Sequence, residues 1–104
     1  MLDAMTIRSA ARALVSAADT MSTWKTGAAI AESARHEVAD QMTAGAMAIH
    51  SLGERSLTSY FSREAERVFE MAGKIGDGSA PFNPGITTAL EGAQLLYSRL
   101  PYLR

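Results

Sequence analysis

The chain has 104 residues, with ten Lys and Arg set against eleven Asp and Glu, and it contains no cysteine. A single helical domain spanning 1–104 suits that length. Interspersed charge of both signs excludes the basic stripe that a nucleic-acid binder needs, and the missing cysteine excludes disulfides, thiolate metal sites and a cysteine nucleophile.

Apolar residues make up 47% of the chain, but alanine dominates them and only 7% of the residues are aromatic. The predicted core is therefore thin, with helix axes brought close together. The first predicted helix covers residues 3–21. Ile7, Ala10, Ala11, Leu14, Ala17, Ala18 and Met21 recur at helical spacing, with Arg8, Arg12, Ser16 and Asp19 on the other side. Asp3 suits the N-cap, where its carboxylate accepts from the first turn. Arg8 and Arg12 on an Ala/Ser-rich stretch mimic an organellar targeting peptide, but Asp3 and Asp19 count against it, so the segment is read as folded structure. Thr20, Ser22, Thr23, Thr26 and Gly27 then weaken helix propensity, which predicts a turn. One long kinked helix over 3–49 is the alternative.

The second predicted helix covers 28–49, with a core line of Ala31, Ala34, Val38, Met42, Gly45 and Ile49, and Ile30 and Ala46 beside it. Gly45 inside a helix costs about 1 kcal/mol relative to alanine, which a close helix crossing would offset. Ser51 and Glu54 have the spacing of a capping box, and Gly53 between them suits a helix end, so a turn is predicted there. A third helix to about residue 72 is expected to bury Leu57, Phe61, Ala65, Val68, Met71 and Ala72, with Tyr60 and Phe69 flanking. Residues 73–83 read as a flexible Gly/Pro linker. Asn83 and Pro84 then suit the cap and first position of a last helix, which carries Ile86, Ala89, Leu90, Ala93, Leu96, Tyr97 and Leu100. No period-two alternation predicts a strand. The expected fold is all-α, a small antiparallel, up-down bundle of three to four amphipathic helices with Ala-rich close packing.

Chemistry-bearing residues are sparse. Glu32, His36 and Asp40 lie four apart on one helix face, but di-metal bundles use a Glu-x-x-His spacing on paired helices with every ligand inward. A solvated face with ion pairs to Arg35 is the expected reading, so no metal and no cofactor are assigned. His50 suits a helix C-terminus, where an imidazolium is favoured. The glycines near Lys74 lack the order and the preceding strand of a phosphate loop, and no Gly-x-Ser-x-Gly elbow is present. Trp24 at the first turn suits either a partner contact or a plug at the bundle end. Most of the methionines fall on core lines, with Met47 the exception. The C-terminal end is apolar: residues 95–100 are expected to dock on the bundle, while Tyr102 and Leu103 are candidate partner contacts together with Trp24 and Met47.

The expected function is a cytoplasmic, non-enzymatic interaction or scaffold protein, self-associating as a dimer or higher oligomer or binding a protein partner. Its thin apolar faces favour joining to something else. The alternatives are a small ligand-binding or regulatory bundle, with a pocket near Trp24 and the linker, and a coat on hydrophobic granules. No apolar run approaches the ~18 residues of a membrane span.

Overall fold

Asp3 starts the first helix as expected: its carboxylate accepts the Thr6 N–H at 2.8 Å, and the backbone turns from extended to helical at that residue. The computed structural model describes residues 3–25, 29–54 and 59–102. These form four α-helices with no strand among the described residues: α1 (Ala4–Ser22), α2 (Glu32–Glu54), α3 (Tyr60–Asp77) and α4 (Phe82–Arg99). A single 3-10 turn, Leu100–Tyr102, follows α4. All seven predicted core positions of α1 are buried.

Cross-helix neighbours fix the topology. Gln41, early in α2, donates to Ser16, late in α1, at 3.2 Å. Gly53 at the end of α2 faces Phe61 and Ser62 at the start of α3, and Gly76 at the end of α3 faces Ala39 of α2. Gly85, in the first turn of α4, faces Ile75 of α3 and Met21 of α1. Each helix therefore runs antiparallel to the one before it, giving an up-down bundle of 43 × 23 × 19 Å. Its most extensive contacts are α2 with α3 and α1 with α4.

The core is a column of Ile7, Leu14, Met21, Val38, Met42, Ile49, Val68, Ile75 and Leu96, all but out of contact with solvent. Alanines supply half of the buried apolar residues, and small residues mark the tightest approaches. Leu14 projects into the notch left by Gly45, and at Gly92 the side chains of Leu14, Ile49 and Val68 converge within 3.5 Å of where a Cβ would stand. The four helices thus enclose their own interior, which removes the thin core as a reason for requiring a partner.

Several predicted boundaries shift. α1 ends at Ser22, where the Ser22 and Thr23 hydroxyls donate back to the Asp19 and Thr20 carbonyls at 2.6 and 2.7 Å. Two separate helices therefore replace the single kinked one. Ala31 is exposed and precedes α2 rather than lining the core; Gly27 and Ala28 lie outside the described residues.

Ser51 does not cap a new helix. Its hydroxyl donates to the Met47 carbonyl at 3.0 Å inside α2, and Glu54 pairs with His50 at 3.4 Å. α2 therefore runs on to Glu54, with Gly53 buried in its last turn. Leu57, a predicted core residue, lies outside the described residues, whereas Phe61 and Met71 are half-buried beside the core.

The linker over 73–83 is mostly helix. α3 continues through Gly73, Lys74, Ile75 and Gly76, because burying Ile75 and seating Gly76 against Ala39 outweigh the poor propensity of the two glycines. It stops at Gly78, the one described residue with positive φ (78°), where the Gly78 and Ser79 amides close on the Ile75 and Lys74 carbonyls. α4 begins at Phe82 after an extended Pro81. Asn83 and Pro84 thus sit within its first turn, where proline's missing N–H is tolerated. On α4 the buried face also includes Gly85, Thr88 and Gly92, while the predicted core residues Leu90 and Tyr97 are 45% and 40% exposed. The α4 face turned inward is its small-residue face, so the large residues one step around are left at the rim.

Candidate functional site

The Glu32, His36 and Asp40 face, expected to be solvated, carries a surface pair. His36 Nε2 lies 3.6 Å from Glu32 Oε1 with both side chains exposed, and Asp40 is exposed a turn further on. Among the described residues no three His, Asp or Glu side chains converge into a metal-holding group. His50, on the solvent side of α2, pairs with Glu54. Arg35 departs from the ion-paired role expected of it, because it is half-buried at the end of the bundle.

The four predicted contact residues are scattered. Met47 projects from α2 and is 60% exposed, and Tyr102 is 71% exposed after α4. The Arg99 guanidinium lies over the Tyr102 ring at 4.6 Å and the Phe61 ring at 5.7 Å, so the expected docking of the C-terminal end runs through Arg99 as well as Leu96 and Leu100. Leu103 lies outside the described residues. Trp24 is half-buried and meets Phe82 edge-on, with ring centroids 6.0 Å apart. Met5 is exposed at the start of α1.

Two concave regions give these residues a context. The first is an open groove of about 360 Å³ along the outer α1–α2 face, lined by Thr6, Ser9, Ala10, Ala44, Met47, Ala48 and Ser51. None of these side chains carries a charge. Alanine and serine at four-residue spacing keep the floor low, and Met47 stands up from it as a flexible apolar knob.

The second region lies at the end of the bundle where α1 and α3 finish and α2 and α4 begin. Trp24, Ile30, Ile75 and Phe82 line a pocket of about 330 Å³ together with Ala29, Ala80, Arg35 and Gly78. The Arg35 guanidinium rests against Gly78, and its Nε is buried with no hydrogen-bond partner among the described residues. The charge of Asp77 acts on it, and the Asp77 carboxylate accepts the Ser79 N–H at 2.7 Å. The Ser79 hydroxyl and N–H hold the Asp77 carboxyl below its ordinary value, and the charges of Arg35 and Lys74 add to that. Sequence reading missed Arg35, although a signal exists: it stands one turn before Val38 on the same core line of α2.

Comparison with protein-family models, curated proteins and solved structures finds no match to this chain. The site's own geometry therefore carries the functional argument.

Proposed function

We propose that this chain is a non-enzymatic helical interaction protein whose folded protomers pair, face to face, through the outer α1–α2 groove. The observation that carries the reading is the uncharged groove itself, with an exposed Met47 beside the low floor made by Ala10, Ala44 and Ala48. A knob and a hole on one face are what a two-fold pair needs, because each copy then supplies both halves of the contact. An uncharged groove lining also meets its own copy without like-charge repulsion. A stable pair buries about 800 Å² on each partner, roughly an eighth of the 6220 Å² surface, an area within reach of two helices lying side by side. A cytoplasmic location suits a chain without cysteine. Among the described residues no helix is long and apolar enough to cross a membrane.

Met47→Glu tests this reading. The side chain is mostly exposed, so the far-UV spectrum and a cooperative thermal transition should persist, the midpoint falling only by what pairing adds, while two carboxylates brought into one uncharged seam should dissociate the pair. Sedimentation at micromolar concentration is expected to show a dimer for the unaltered chain and a monomer for the variant. A strict monomer for the unaltered chain ends the proposal.

A further inference from the structure

We infer that the pocket at the end of the bundle binds a small carboxylic acid, its carboxylate on Arg35 and its ring or short chain between Trp24, Ile75 and Phe82. The pocket's volume, about 330 Å³, is at the lower end for small-molecule sites, so it takes a single ring or short chain rather than a larger body. Trp24, Ile30, Ile75 and Phe82 give part of its lining an apolar and aromatic character, which suits a hydrocarbon body beside a polar end. Its one cation has a buried Nε–H that nothing in the described chain satisfies, and a buried donor left unpaired is costly.

Asp77 acts on Arg35 through its charge but makes no hydrogen bond to the buried Nε–H. The helix ends at the pocket largely cancel. The start of α4 at Phe82 favours an anion, and the end of α3 at Gly78 disfavours one. Arg35 is therefore the deciding charge. A single planar guanidinium matches one carboxylate through paired N–H···O bonds, whereas a phosphate dianion calls for several converging donors, and Arg35 is the one charged side chain among the lining residues.

The chain holds one tryptophan, and it lines this pocket, so its emission reports occupancy directly. Phenylacetate is expected to change the Trp24 emission saturably and to bind about ten-fold or more tightly than phenylacetamide, which has the same shape without the charge. Arg35→Gln is expected to bring the acid down to the level of the amide while leaving the amide's own affinity in place. That second readout separates loss of the charge from collapse of the pocket. Equal affinities for acid and amide on the unaltered chain overturn the inference whether or not the variant folds, as does the absence of any saturable change at millimolar ligand. N-acetylglycylphenylalanine tests the source of the carboxylate. Binding no tighter than phenylacetate upholds a small-molecule ligand, and ten-fold tighter binding overturns it in favour of a polypeptide C-terminus.

Discussion

Gly45 and Gly73 both sit inside α-helices, yet a methyl group added to each should have opposite consequences. At Gly45 it would fall on the branched end of Leu14, whereas at Gly73 it would meet nothing within 4 Å. Gly73→Ala should therefore stabilise the chain by about 0.5–1 kcal/mol through backbone entropy alone. Gly45→Ala gains the same entropy but overpacks the core, a penalty of about 1–3 kcal/mol, so its net effect should be destabilising. Urea midpoints for the two variants check the pair of signs. In a Leu14→Ala background the obstruction is gone, and Gly45→Ala should there become neutral or favourable.

Asp3 gives a pH-dependent counterpart. Its carboxyl is held below its ordinary value by the Thr6 backbone N–H and the Thr6 side chain. Its contribution is therefore fully present above the unfolded-state value near 4 and is lost as pH falls through the lowered one. Protection of the Thr6 amide, taken relative to intrinsic exchange at each pH, should fall across that acid window, and Asp3→Ala should show the lower protection already at neutral pH.

At the scale of the helices, what was legible depended on whether a local signal had a competing tertiary contact. α1 could be read residue by residue because its apolar stripe is continuous and its opposite side polar, leaving one way to bury it. The ends of α2 and α3 could not. Ser51 and Glu54 have the spacing of a cap, but inside a helix the same groups bond to Met47 and His50, and sequence alone does not choose between the two. Gly73 and Gly76 read as helix breakers until Ala39 is seen to need the space at Gly76. The pocket was half legible: Trp24 and the turn before α4 were placed near a cavity, but Arg35 was assigned to solvent because its neighbour in space, Gly78, is remote in sequence.

Gly78 is where that element truly ends, and its conformation makes a test. At φ 78° a Cβ is disfavoured by about 1–2 kcal/mol, and here it would also press on the Arg35 guanidinium. Gly78→Ala should lower stability by about that amount or more. Gly78→Asn tolerates the left-handed backbone but keeps the same Cβ, so whatever loss remains in its urea midpoint belongs to displacement of Arg35.

Taken as a whole, the bundle has two extensive seams, α2 with α3 and α1 with α4, which raises the question of whether it unfolds as one body or as two helix pairs. The middle of the core argues for one. Leu14 of α1 reaches Gly45 of α2 and Gly92 of α4, and Ile49 and Val68 close the same layer from α2 and α3. No helix pair can therefore keep that layer filled without the other. Val38 is fully buried within this continuous column, and a carboxylate put there is taken out of water among apolar side chains. Such a burial costs several kcal/mol, comparable with the whole stability of about 5–15 kcal/mol that a domain of this size commands. Val38→Asp should therefore abolish the cooperative transition at neutral pH and remove hydrogen-exchange protection from all four helices together. Protection that persists in α1 and α4 while α2 and α3 exchange freely would show two separable units, and the shared central layer would then not govern the fold.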